Sequence, residues 1–144
     1  MKDISDASAA SIDGFALNIG AGDNFTRNSL QLAYDTANQF DDFTLFLSFD
    51  FNAQGSKTWD VDSISNLTNT FKDEPAQFKV DGKPLVSTFE GYAFADKWKD
   101  VRKKVKGDIF FMPDWSSQTP SGVNKSIDEI DGACKCSLSQ YHGW

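Results

Sequence analysis

Long apolar runs are missing from these 144 residues: none approaches the roughly 20 needed to cross a bilayer. The opening Met1-Lys2-Asp3-Ile4-Ser5-Asp6 also lacks the apolar centre of a secretory leader, so as written nothing directs the chain for export. Cysteine is scarce. Cys134 and Cys136 stand one residue apart near the end, too close for a good disulfide and too few for a zinc site, and they fix no redox compartment. The single histidine, His142, is far along the chain, and no serine sits in a G-x-S-x-G elbow, which argues against a serine-hydrolase triad. Positive charge is in deficit: 14 Lys and Arg face 21 Asp and Glu, for a net charge of −7, so a nucleic acid would be repelled over most of the surface. The one dense basic run is Lys97, Lys99, Arg102, Lys103, Lys104 and Lys106. Trp98, Val101 and Val105 interleave it at helical spacing, so it reads as a solvated outer helix face and not as a phosphate site. Neutral ligands remain open.

What is present is ordinary globular material, 40% hydrophobic with four Trp, enough for the core of one domain. Three glycosylation sequons, at Asn24, Asn66 and Asn124, would suit a secreted parent. Apolar runs and amphipathic stretches alternate along the chain. Gly14 to Ile19 is a short apolar run between glycine-bearing turns, hence a buried strand. Arg27 to Phe40 carries Leu30, Ala33, Tyr34 and Ala37 on one helical face. Phe43 to Asp50 is a second strand, apolar enough to be covered on both faces. Asp60 is placed to cap a helix whose inner face holds Val61, Ile64, Leu67 or Thr68, and Phe71. After the Asp81-Gly82 turn, Pro84 to Phe89 predicts a third strand, and Phe94, Trp98, Val101 and Val105 line the next helix. Asp108 to Met112 predicts a fourth strand. Ile127 to Ala133 reads as the start of a fifth, repeating the Ile-Asp-Gly opening of the first.

Such alternation implies a parallel sheet with right-handed crossovers, either a closed barrel or an open doubly wound sheet. A nucleotide-binding sheet needs a glycine-rich phosphate turn after its first strand, and Gly20-Ala21-Gly22-Asp23 fits that pattern weakly. The barrel is the better reading. Its chemistry is written at the strand ends, which are Asn18, Asp50, Glu90 and Asp114 in order. Each follows directly on apolar residues, and a barrel gathers the C-terminal ends of its strands at one mouth. Any one of them alone would pass for a loop residue or a helix cap. Phe51, Phe89 and Trp115 flank the acids, and Trp59 lies in the loop after the second strand. Carboxylates grouped with aromatic rings equip carbohydrate sites, where acids serve the glycosidic oxygen and water, and rings stack on sugar faces. Trp98, at helical spacing, reads as core. Ser48, Ser87, Thr88, Ser116 and Ser117 add hydrogen-bonding capacity along the rim.

Four stretches carry a family resemblance: Ile12 to Gly20 (IDGFALNIG), Leu45 to Asp50 (LFLSFD), Gly82 to Gly91 (GKPLVSTFEG) and Phe111 to Ser117 (FMPDWSS). In them the chain resembles the fungal α-1,3-glucanases, or mutanases, of glycoside hydrolase family 71. The resemblance implies a (β/α)8 catalytic domain over residues 1–133, followed by a divergent tail at 134–144. It also implies extracellular or cell-wall location, endo-hydrolysis of α-1,3-glucan, and no metal or organic cofactor. Asp50 carries over as a residue that assists catalysis; Asn18, Glu90, Asp114, Trp115 and Trp59 carry over as substrate-binding residues. The family's principal pair lies in an N-D-x-x-E-S motif that these residues do not contain.

A (β/α)8 barrel normally needs roughly 250 residues. The expectation is therefore a partial barrel of four to five parallel strands, from a truncated gene product or an incompletely read gene, with two open sheet edges that invite pairing or aggregation. The alternative is a noncatalytic glucan-binding remnant of such an enzyme. An unrelated aldolase or isomerase barrel would call for a strand-end lysine or a phosphate-binding glycine turn, and neither is well placed. The tail is expected to complete no strand, with Leu138, Tyr141 and Trp144 as its only anchors should it fold back.

Overall fold

The computed structural model describes residues 2–22, 26–53 and 57–134. Helix α1 (Lys2–Ala9) leads into strand β1 (Gly14–Gly20), and α2 (Thr26–Ala37) connects it to β2 (Thr44–Asp50). Helix α3 (Val61–Phe71) and the short strand β3 (Lys79–Val80) precede β4 (Lys83–Phe89). A 3-10 turn (Tyr92–Lys97) runs into α4 (Trp98–Lys104), which is followed by β5 (Phe110–Phe111), α5 (Pro120–Val123) and a second 3-10 turn (Asn124–Glu129).

Strands β1, β2, β4 and β5 pair in parallel in chain order, while β3 folds back antiparallel onto the start of β4. A doubly wound sheet reverses its strand order at a switch point and carries helices on both faces. Here the order does not reverse. Side chains alternate between the two faces of a strand, and Leu45, Leu47, Phe49, Val86 and Phe111 share one core cluster with Leu30, Tyr34, Ile64, Phe71, Trp98 and Val101 of the helices. Their neighbours along the same strands, Ala16, Asn18, Phe46, Phe89 and Met112, are exposed or half-buried on the opposite face. Helices on one side and a freer inner face on the other make this a segment of a (β/α)8 barrel, as the sequence predicts.

The crossover helices follow the apolar spacing. In α2, Leu30, Tyr34 and Ala37 are buried, and Ala33 packs against the core. Tyr34 stacks on Phe71, with ring centroids 5.1 Å apart, and donates its hydroxyl to Gln77 Oε1 at 2.7 Å. Burial, with Glu74 adding to it, pushes the phenol far above its ordinary pKa, so it stays a neutral donor. Trp98 is fully buried, as its helical spacing indicates. Of the basic run on α4, Lys97, Lys99, Lys103, Lys104 and Lys106 are exposed and Arg102 is partly buried, so the solvated face is observed.

One part of the strand prediction is corrected. The Ile-Asp-Gly repeat predicts a fifth strand starting at Ile127, but residues Asn124–Glu129 form the 3-10 turn and Ile127 is 53% exposed. Pairing begins only afterwards: Asp131 and Gly132 donate backbone N–H groups to Phe111, and Cys134 bridges to Asp114 in parallel. Arg102 anchors this opening through Nη2 to Asp131 Oδ2 at 2.5 Å. The Asp81-Gly82 turn stands ahead of the third predicted strand as expected, and with φ of 50° and 78° it also closes the β3–β4 hairpin.

Asp60 caps α3 as predicted, its Oδ1 accepting from Ser63 N at 2.7 Å. That backbone hydrogen bond, above all, holds the Asp60 carboxyl below the usual carboxylate range. Its folded pKa is therefore lower than its unfolded one. The cap's contribution is present above the unfolded value and is lost as pH falls through the folded one. Asp60→Ala is expected to cost about 1 kcal/mol near neutrality and less in acid, with the gap closing below about pH 4. Urea midpoints for both proteins along a pH series check this; a gap independent of pH would remove Asp60 as the source.

Candidate active site

Parallel register carries the strand ends to one level. Gly20 pairs with Asp50, Asp50 with Phe89, Phe89 with Asp114, and Asp114 with Cys134. Asn18 lies one inward position lower, beside Ser48, which pairs in turn with Ser87. Asn18, Asp50, Glu90 and Asp114 thus meet at the C-terminal end of one sheet, where the apolar runs that end in them predict they should be.

Asp50 is gripped on both oxygens. Asn18 Nδ2 donates to Oδ2 at 2.9 Å, and the backbone N–H of Asn52 donates to Oδ1 at 2.8 Å. Ser48 Oγ donates to Asn18 Oδ1 at 3.3 Å, which leaves the amide's NH2 side facing the carboxylate. The carbonyl of Asp50 accepts from Trp59 Nε1 at 3.0 Å, tying the loop after β2 back over the strand end.

Glu90 is built differently. It adopts a left-handed backbone, φ 57°, directly before Gly91 at φ 89°. Such strain in a residue other than glycine is maintained by its surroundings. The Glu90 N–H donates to the Asp114 carbonyl at 2.8 Å. Its carboxylate accepts from the Ser117 N–H at 2.9 Å and from Ser117 Oγ at 2.5 Å. Gly91 cannot be replaced cheaply, because an added Cβ would come within 2.5 Å of the Phe51 ring. Asp114 is 6% exposed and accepts from the Ser116 hydroxyl.

These four residues share a rim but not one concavity. Asp50 opens into a polar pocket of about 260 Å³ with Asn52 and Lys57. Glu90 faces a separate cleft of about 520 Å³ with Tyr92, Ser117 and Gln118. Phe51, Thr58 and Trp59 line both. Asn18 and Asp114 border the hollow on the inner face of the sheet, with Ser48 and Cys134.

The two tryptophans expected to stack on sugar are more deeply placed than the sequence suggests. Trp115 is 3% exposed, edge-on to Tyr92 and Phe111 at centroid distances of 5.2 and 6.2 Å, and so serves as packing beneath the rim. Trp59 is 7% exposed, edge-on to Phe49 at 4.9 Å, so little of its ring reaches either cleft. Tyr92, which sequence reasoning passed over, is a half-buried ring of the Glu90 cleft, beside Phe51 and Phe94. Its signal was available, since it follows the strand-end acid by two residues, much as Phe51 and Trp115 follow theirs by one.

A one-sided β/α sheet whose C-terminal rim collects carboxylates, amides and hydroxyls among aromatic rings defines part of a (β/α)8-barrel glycoside hydrolase domain. The chain belongs to glycosyl hydrolase family 71, whose profile matches residues 1–139. It is similar to a glucan endo-1,3-alpha-glucosidase of Schizosaccharomyces pombe, at 36% identity over 88% of this chain and 32% of the relative. A mutanase of Penicillium rubens is 32% identical over 88% of this chain and 28% of its own length. The ascus wall endo-1,3-alpha-glucanase of S. pombe is 26% identical over 98% of this chain and 34% of its own length. The chain therefore spans about a third of the length of these relatives. Among solved structures, the GH99 endo-alpha-mannosidase of Bacteroides thetaiotaomicron superposes with a TM-score of 0.68 at 18% identity, over 93% of this chain and 44% of that one. That likeness speaks to the fold.

Proposed function

We propose that these residues form part of the catalytic barrel of an endo-acting hydrolase that cleaves α-1,3-glucosidic bonds, in fungal cell-wall glucan or a related polysaccharide, outside the cell or in the wall. The observation that carries the reading is the gripped Asp50 carboxylate at the strand-end rim, with Glu90 and Asp114 on neighbouring strands. The names of the family 71 relatives supply the substrate class.

Asp50 is the assisting carboxylate. Held by Asn18 and Asn52, it presents fixed negative charge where a glucosyl ring develops oxocarbenium character, or orients the attacking water. The residues that protonate the leaving oxygen and act on the anomeric carbon belong to the N-D-x-x-E-S motif, which the chain does not contain. The 144-residue polypeptide by itself is expected to release no reducing sugar from α-1,3-glucan above background, because removing a principal acid or base costs orders of magnitude in rate. Joining residues 2–134 to the complementary part of a family 71 relative is expected to restore endo-cleavage, read as short α-1,3-linked oligosaccharides. Normal turnover by the chain alone would relocate the catalytic carboxylates to the residues described. A folded but inactive chimaera would remove the hydrolase reading. The binding-only reading draws support from the Glu90 cleft, which is formed without any of the missing motif.

A further inference from the structure

We infer that Asn124 accepts an N-linked glycan on the way out of the cell, and that the fold withholds Asn66 from the same reaction. The inference rests on the proposed extracellular location for the route, and on the structure for the choice between the two sites. Asn24 lies outside the described residues.

In N-glycosylation the acceptor's Nδ2 attacks the anomeric carbon of a lipid-diphosphate-linked oligosaccharide. The new C–N bond replaces the C–O bond to the diphosphate, which leaves with the electron pair, and the amide gives up one proton to a base of the transferase. The transferase also holds the hydroxyl two residues further on, which is why an acceptor triplet ends in Ser or Thr. An acceptor therefore needs both side chains within reach, on surface backbone that can be bent into the enzyme. As letters, Asn66-Leu67-Thr68 and Asn124-Lys125-Ser126 meet the rule equally.

The fold separates them. Asn66 is exposed near the middle of α3, but helical residues turn by about 100° each, so the residue two places on faces the other way. Thr68 is accordingly 1% exposed, and its hydroxyl is buried without a hydrogen-bond partner among the described residues. Reaching that hydroxyl means unwinding a helix that also buries Ile64, Ser65 and Phe71. Asn124 lies where α5 meets the second 3-10 turn. It is exposed, and Ser126 is half-buried at a kink, with φ of −117° and ψ of 24°. Neither the Asn124 side-chain amide nor the Ser126 hydroxyl hydrogen-bonds to another described residue. Neither α5 nor the 3-10 turn contains a buried residue, so this segment opens locally at little cost.

The test fuses a cleavable secretory leader to the full 144-residue chain and expresses it in yeast. Enzymatic glycan release in heavy-oxygen water converts each formerly glycosylated asparagine to a labelled aspartate, read by peptide mass spectrometry. Most secreted molecules are expected to carry the label at position 124. Labelling at position 66 is expected to be about tenfold lower or less, because its exposure takes more than a local opening. Ser126→Ala removes the acceptor hydroxyl and no hydrogen bond among the described residues; it is expected to abolish the Asn124 label and leave the melting temperature of the deglycosylated protein unchanged. Trp98→Ala removes a buried ring from α4, against which α3 packs, and is read in the intracellular fraction in case the chain is retained. It is expected to raise Asn66 labelling several-fold. An unlabelled Asn124 in the parent protein would overturn the site. Equal labelling of Asn66 and Asn124, or an Asn66 no more labelled in Trp98→Ala than in the parent, would overturn selection by the fold. Each of these results leaves the hydrolase reading intact, since that reading depends on cleavage by the chimaera.

Discussion

Asp50→Asn in the chimaera is expected to lower kcat by about 10²- to 10⁴-fold, the span that a positioned carboxylate contributes, with KM changed far less. Asparagine is close to isosteric, so the pocket keeps its shape. The charge disappears, and one of the two donors now aimed at Asp50, from Asn18 Nδ2 and Asn52 N, must meet an amide NH2 instead of an oxygen. The single variant therefore combines a chemical loss with a local repulsion. Exchanging the partners separates them, because Asn18→Asp with Asp50→Asn restores a carboxylate–amide pair but moves the charge one strand away. Stability is expected to recover in the exchanged protein while kcat stays low. Recovery of kcat as well would mean that the pair matters only for holding the strand ends together. An unchanged kcat in the single variant would remove Asp50 from catalysis altogether.

Trp98→Ala is expected to destabilise the chain by about 3–5 kcal/mol, the usual effect of truncating a large buried ring. Against a total of about 5–15 kcal/mol for a native domain, that brings it close to unfolding. Trp98 is fully buried at the junction of the 3-10 turn and α4, stacked on Phe111 of β5 with centroids 3.7 Å apart. Its ring is thus the joint between the last crossover and its strand. Among the described residues the buried indole N–H has no hydrogen-bond partner, so Trp98→Phe removes an unmet donor along with part of the ring. Its cost is expected to be less than half that of alanine. Urea unfolding with unchanged m-values checks both; equal costs for the two variants would show that the stacking contributes little.

The parallel frame was legible because its cause is local. Four apolar runs, each bounded by turn residues and separated by one helical face, leave few other arrangements, and the observed β1, β2, β4 and β5 lie within or nearly within the predicted limits. The strand-end acids were legible for the same reason, since a residue that ends an apolar run also ends the strand. Helix α1 was not foreseen, because in KDISDASA only Ile4 and Ala7 are buried, too few to mark a face. Strand β3 has only two residues, fewer than any period can reveal. The division of the rim into two clefts was hidden because it depends on the left-handed turn at Glu90 and on the Trp59 indole reaching back to the Asp50 carbonyl. An aromatic residue beside an acid reads as rim in a sequence. Whether its face is free depends on partners such as Tyr92 for Trp115 and Phe49 for Trp59, which only the fold supplies.

The one-after-another pairing of the strands also bears on how this polypeptide is born. Contacts that define the rim join residues 32, 27 and 25 positions apart, as in Asn18 with Asp50, Glu90 with Ser117, and Ser87 with Met112. Each stave meets a partner already made, with one helix between them. A ribosome adding roughly 5–20 residues per second would release every such unit within seconds of its predecessor. Short loops of this kind close far faster than that. The rim can therefore assemble in the order of translation, with Asn18 and Asp50 paired before Glu90 has left the exit tunnel.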